Sequence, residues 1–196
     1  MSVPRIQSLS VGPMDNNVYI LTCPDTGERA LIDPANEADA ILDALGTPAL
    51  DYILLTHGDM DHILALDEIR AASGAPVAIH PDDLHMLGGR TVDFSLQEGE
   101  DIRFGNVTLQ VFHTPGHTAG GVCFYSAPYL IDGDTLFPGG PGNTQREGGD
   151  FPLIMEGIRT KLFTLPDDTI VYPGHGKSTT IGAERPHLQE WLDRGF

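Results

Sequence analysis

The segment Thr56-His57-Gly58-Asp59-Met60-Asp61-His62 sets four ligand-type side chains, His57, Asp59, Asp61 and His62, directly behind the apolar run Tyr52-Ile53-Leu54-Leu55. A buried strand has no packing use for imidazoles and carboxylates at its end. These are the donors that zinc, iron and manganese accept. The same context recurs three times. His117 stands on the turn Thr114-Pro115-Gly116-His117-Thr118 after a strand-like run ending at His113, Asp132-Gly133-Asp134-Thr135 follows the apolar Tyr129–Ile131, and His175 sits between Gly174 and Gly176 behind Thr169–Tyr172. Taken singly, each is ordinary turn material, because Asp, Gly and a hydrogen-bonded His are what turns use. Together they describe loops gathered at one edge of a rigid sheet core. His57, Asp61, His62, His117, Asp134 and His175 are therefore expected to converge in one pocket.

The elements that must position these loops are legible as alternating strand and helix signals. Arg5–Ser10, Val18–Cys23 and Arg29–Asp33 read as strands separated by Gly12-Pro13 and Pro24-Asp25-Thr26-Gly27. Ala35–Leu45 reads as a helix, with Ala38, Ile41, Leu42 and Leu45 at helical spacing and Asn36 as its N-cap. After the His57 cluster a helix is expected through Ser73, ended by Gly74 and Pro76, then a strand at Val77–Ile79 and a helical stretch at Asp82–Leu87. The middle is strand-rich, with Ile102–Phe104, Val107–His113, Gly121–Tyr125 and Tyr129–Ile131. Phe151–Leu165 and Ile181–Leu192 read as helices on either side of a strand at Thr169–Tyr172. Periodicity alone gives a mixed α and β protein. With the four clusters added, two such halves fit a sheet-on-sheet core with helices outside, an α+β, four-layer αββα sandwich forming one domain over residues 1–196.

The charge balance narrows the function. The net charge of −17 comes from 28 acidic residues against 11 basic ones, with no basic patch to neutralise phosphates, so a nucleic-acid substrate is not expected. The hydrophobic content of 40% and mean hydropathy of −0.11 are those of a globular chain. No apolar run reaches the roughly 20 residues of a membrane span. Met-Ser-Val-Pro-Arg-Ile lacks the regions of a secretory signal, and Cys23 and Cys123 lie in strand-like runs rather than in a C-x-x-C pair. A cytoplasmic location with two buried thiols follows as the expectation, a disulfide between them being left open.

The set of clusters resembles the metallo-β-lactamase superfamily, with its H-x-H-x-D-H run followed by a His, a bridging Asp and a final His. The resemblance extends from Asn16-Asn17-Val18-Tyr19-Ile20 and Ile32-Asp33-Pro34 to the last histidine loop. It is closest to the hydroxyacylglutathione hydrolase (glyoxalase II)-like branch, on Gly133-Asp134-Thr135-Leu136-Phe137 and Thr180-Ile181-Gly182-Ala183-Glu184. It implies one metal, taken as zinc, on His57, the residue at position 59 and His117. A second metal would lie on Asp61, His62 and His175, with Asp134 bridging. It also implies hydrolysis of a small thioester of the hydroxyacyl-thiol kind, with Asp61 orienting the attacking water. Glyoxalase II carries a further C-terminal helical region that helps bind glutathione. Here about twenty residues follow His175, so glutathione is not expected as the carrier thiol.

One residue departs from that pattern. Position 59 is Asp, giving H-x-D-x-D-H. A carboxylate can join two histidines on a metal, directly or through one water, but it adds negative charge and hardens the site toward iron or manganese. On this reading Asp59→His should shift preference back to zinc. A rival reading by the same resemblance is a mononuclear-iron persulfide dioxygenase on His57, His117 and Asp134. The other histidines, His80, His85, His113 and His187, are expected in structural or surface roles, with His113 the one placed to support a ligand from behind. Gly139–Thr144 lacks the Lys that follows a phosphate loop, and Gly139–Gly149 is expected to border the pocket and to be more mobile than the sheets.

Overall fold

A computed structural model describes residues 2–47 and 49–195 of the chain. The first sheet runs in the order β1 (Arg5–Val11), β2 (Asn16–Thr22), β3 (Arg29–Ile32), β4 (Tyr52–Leu54), β5 (Val77–Ile79) and β6 (Phe94–Ser95). Its first two pairings are antiparallel and the remaining three parallel. The second sheet is built from β7 (Asp101–Phe104), β8 (Val107–His113), β9 (Val122–Ser126) and β10 (Tyr129–Gly133). After the small ribbon β11 (Leu136–Phe137) and β12 (Gly140–Pro141), it is completed by β13 (Ile170–Pro173) beside β10 and by β14 (Thr179–Thr180) at the edge. The helices are α1 (Ala38–Leu45), α2 (Met60–Ile63), α3 (Leu66–Ser73), α4 (Phe151–Thr160), α5 (Ile181–Glu184) and α6 (Leu188–Arg194).

Side-chain alternation assigns the layers. Along β2, Val18 and Ile20 face the helices with Leu31, Ile53, Ile41 and Ile69, while Tyr19 and Leu21 face the other sheet. Along β9 the same period sends Phe124 inward against Ile32 and Leu54 and Cys123 outward against α4 and Trp191. Strands covered on both faces read as unbroken apolar runs. The three apolar clusters are thus the helix–sheet, sheet–sheet and sheet–helix interfaces of the four-layer sandwich.

The local departures from the sequence reading have physical causes. The helix expected from the His57 cluster to Ser73 is split between α2 and α3, because the amides of Leu64 and Ala65 donate to Ala35 and Pro34 rather than back along a helix. α1 begins three residues later than the expected Ala35, and Asn36 is not its cap. The Asn36 carboxamide oxygen accepts from its own neighbour Glu37, which takes φ 52° at the helix entry. The stretch at Pro81–Leu87 is a 3₁₀ helix. The last two expected helices break after Thr160 and Glu184 into 3₁₀ turns. β6, β11, β12 and β14 were not visible in the sequence, each being two residues long and too short to show a period. Cys23 and Cys123 are buried free thiols. Among the described residues, no helix is long and apolar enough to cross a membrane.

Candidate metal centre

The C-terminal ends of β3, β4, β8, β10 and β13 meet at one edge of the sandwich, and all seven predicted site residues come together there. Two candidate ligand sets result. His57 Nε2 and His117 Nε2 lie 3.5 and 3.0 Å from Asp59 Oδ2. Asp61 Oδ2 lies 3.7 Å from His62 Nε2 and 3.4 Å from His175 Nε2. Asp134 stands between them: Oδ1 is 3.5 Å from His62 Nε2, and Oδ2 is 3.5 Å from both His117 Nε2 and His175 Nε2.

Each histidine is aimed by what its other ring nitrogen holds. His117 Nδ1 donates to Asn143 O at 2.8 Å and His175 Nδ1 to Met14 O at 3.0 Å, carbonyls being acceptors only. His62 Nδ1 donates to Asp33 Oδ2 at 3.1 Å. His57 Nδ1 donates to Thr56 Oγ1 at 2.9 Å, since that hydroxyl spends its proton on Asp33 Oδ2 at 2.5 Å. Every Nε2 therefore turns a lone pair inward. His62 and His175 bring theirs within 3.2 Å of each other, and His57 Nε2 and Asp134 Oδ1 are buried with no hydrogen-bond partner at all. Converging lone pairs and orphaned acceptors are stable only around positive charge. The donor set fits a pair of divalent ions.

In the ion-free protein, protons supply part of that charge. Asp134 and Asp61 lift His175 to about 10 against the opposing effect of burial. Burial would raise Asp59, Asp61 and Asp134, but their histidine neighbours outweigh it, bringing Asp61 to about 2 and the other two below the ordinary carboxylate range. Asp132 behaves oppositely. It is fully buried, its Oδ2 accepts from Leu136 N, and burial pushes its carboxyl well up.

Glycines permit the close approach. A Cβ on Gly174 would stand 2.2 Å from Asp134 Oδ1 and 2.6 Å from His62 Cε1. The His175 turn is itself gripped by β2, where Asn17 Nδ2 and Tyr19 Oη donate to Pro173 O at 2.9 and 2.6 Å.

Four participants were not singled out from sequence. Asp33 serves His57 and His62 together. Asp83, fully buried, accepts from Gly58 N, Thr118 Oγ1 and Gly120 N, and so ties the His57 loop to the His117 turn. Asn16 Nδ2 donates to Asp61 Oδ2 at 2.8 Å. Arg146, from the glycine-rich loop, makes a bidentate pair with Asp59, Nη2 lying 2.5 Å from Oδ1. A signal for Arg146 was present, since one extra buried carboxylate calls for a cation and Arg146 is the single basic residue in Gly139–Gly149. That loop borders the pocket as expected, through Asn143 and Arg146. Among the described residues, His113 makes no hydrogen bond to any of the seven. Its Nε2 donates to Ala119 O, bracing the His117 turn, while its ring stacks on His80 at 3.9 Å.

The model of the metallo-β-lactamase superfamily matches residues 11–175. The chain belongs to this superfamily. Among relatives, it is 32% identical to the hydroxyacylglutathione hydrolase GloC of Haemophilus influenzae, over 82% of this chain and 86% of that protein. Of solved structures, the BLEG-1 B3 metallo-β-lactamase superposes with a TM-score of 0.84 at 35% identity, covering 94% of this chain and 98% of that one. TTHA1623, crystallised in a di-iron-bound form, gives a TM-score of 0.79 at 32% identity over 91% and 96%. The chain is a metal-dependent hydrolase of this superfamily, which uses zinc or iron, and its His/Asp clusters fit such ions.

Proposed function

We propose that this metallo-β-lactamase superfamily member hydrolyses a small thioester of the hydroxyacyl-thiol type. The first ion would be held by His57, Asp59 and His117, the second by Asp61, His62 and His175, with Asp134 shared. When bound, such a pair supplies a water of lowered pKa and a positive field for the charge developing on a carbonyl oxygen. The observation that carries the reading is the meeting of two His/Asp sets at Asp134, whose Oδ2 lies 3.5 Å from a histidine of each.

The chain's own groups narrow the leaving group. Asp59, Asp61 and Asp134 are all held ionised at neutral pH, so none of them offers a proton to a departing atom. A thiolate leaves without one; an alkoxide or amine does not leave as easily. Asp61, steadied by Asn16 and about one-quarter exposed at the mouth, is placed to accept a hydrogen bond from the attacking water and orient it. Asp33, through Thr56 and directly, keeps the His57 and His62 rings in register. A depression of about 640 Å³ beside Arg146, lined by His85, Met86, Thr118, Ala119 and Glu147, offers room for the thiol portion. The relative GloC, a hydroxyacylglutathione hydrolase, supports the same substrate class. The proposed location is the cytoplasm.

The test is metal analysis combined with a panel of thioesters, lactones, β-lactams and persulfides. Two metal equivalents, with thioesters turned over fastest, is the expected result. One iron with oxygen consumed alongside a persulfide would replace this reading with the dioxygenase one. Preferential β-lactam cleavage would keep the hydrolase and discard the substrate.

A further inference from the structure

Asp59 is the one acidic member of the first set besides the shared Asp134, and it is 8% exposed. A buried carboxylate there makes the set one unit more negative than a neutral imidazole would. Arg146 returns that unit. Its two Nη atoms face both oxygens of Asp59, the planar fork matching a carboxylate as a lysine could not. The guanidinium leaves one donor of the set free: His57 Nε2, 3.5 Å from Asp59 Oδ2, keeps no hydrogen-bond partner among the described residues. Nη1 also lies 3.1 Å from His117 Nε2, and an ion taking that lone pair would leave Nη1 on Asp59 alone. Arg146 is about one-third exposed, and the Asp59 Oδ2 that it holds is also the oxygen facing His57 and His117.

We infer that Arg146 balances the charge of the first set, and that Asp59 and Arg146 together act as one ligand of zero net charge. The inference rests on the metal-centre reading but not on the thioester substrate. It reverses the simplest expectation from sequence. Asp59→His alone leaves the Arg146 charge unpaired beside the ion, so it should weaken the first site rather than improve it.

The experiment is zinc binding, by competition with a chromophoric chelator and by elemental analysis, on four proteins: the natural chain, Asp59→His, Arg146→Ala and the double variant. Asp59→His is expected to lose first-site affinity by about tenfold or more, a unit charge a few ångströms from a divalent ion being a large effect even when screened. Arg146→Ala should bind zinc at least as tightly as the natural chain. The double variant should return to within about threefold of it, which no loss of loop packing would produce. Circular dichroism and the second zinc equivalent report on folding in each variant. Equal affinity in all four proteins overturns the inference, as does a weakened Arg146→Ala that the double variant does not rescue. A rise from one zinc to two in Arg146→Ala also overturns it, because Arg146 would then be the occupant of the site. Failure of the natural chain to bind zinc, iron or manganese would refute the metal-centre reading itself, and this inference with it.

Discussion

His57, Asp59 and His117 lean on a hydroxyl, a mobile-type side chain and the carbonyl of a glycine-rich loop, whereas Asp61, His62 and His175 lean on the sheets. His175 is held by Met14 O and by a turn that Asn17 and Tyr19 of β2 grip directly. His117 instead depends on Asn143 O, and Asp59 on Arg146, both from the Gly139–Gly149 loop. The second set is therefore built into the pairing of the two sheets, and the first is completed by a loop. Besides the shared Asp134, Asp33 supports both sets, through His62 and through Thr56 to His57. The comparison teaches that metal affinity at the two sets should be separable, except where Asp33 or the shared Asp134 is lost.

The largest effect should come from Asp33→Ala. It strands Thr56 N, Thr56 Oγ1 and His62 Nδ1 in the interior, at a cost of about 3–5 kcal/mol in urea denaturation. Metal affinity should fall about 10–100-fold in both sets. Loss confined to one set would dissolve the idea of a shared anchor. Next is Gly174→Ala, whose Cβ would drive into Asp134 Oδ1 and His62. Elemental analysis should then find the second ion lost and the first retained, with hydrolysis down by at least about two orders of magnitude. Equal loss of both ions would mean that the sets are not separable.

The third effect is in pH. His175 in the ion-free protein titrates at about 10, above its ordinary 6.5, so the folded form binds its proton more tightly than the unfolded form does. That contribution is complete below 6.5 and disappears as pH rises through about 10. Thermal melts of metal-stripped protein should therefore decline between these limits. Loaded protein should lack that decline, since the ion takes the Nε2 lone pair. Parallel curves would show that no ion reaches His175. The smallest effect is expected from Asn16→Ala, which frees one oxygen of Asp61. It should cost about 1 kcal/mol or less in stability and a few-fold in kcat, with metal content unchanged.

Much of this centre could be read without coordinates, for a specific reason. Strands that are buried on both faces must be apolar throughout, so an abrupt change to His and Asp at their ends stands out, as it does at His57, His117, Asp134 and His175. The sheet-on-sheet architecture needed the resemblance as well, because alternation reports that a face is buried but not what covers it. Asp33 and Asp83 were less legible. Their importance lies in partners 23 and 25 or more residues away, and a lone Asp after a strand looks the same whether it orients a ligand or caps a turn. The breaks at Leu64 and Ala65 were likewise set by carbonyls from another segment.

What the sequence by itself determined is the chemistry available, namely the donor types, their placement behind strands, and the single acidic replacement at position 59. What only the tertiary structure decided is how that replacement is balanced. Arg146 is 87 residues from Asp59 along the chain, in a loop with no period to read, and only folding brings guanidinium and carboxylate together. Local pattern fixes which side chains a strand end presents. The charge a buried site carries is a sum over everything the fold packs around it.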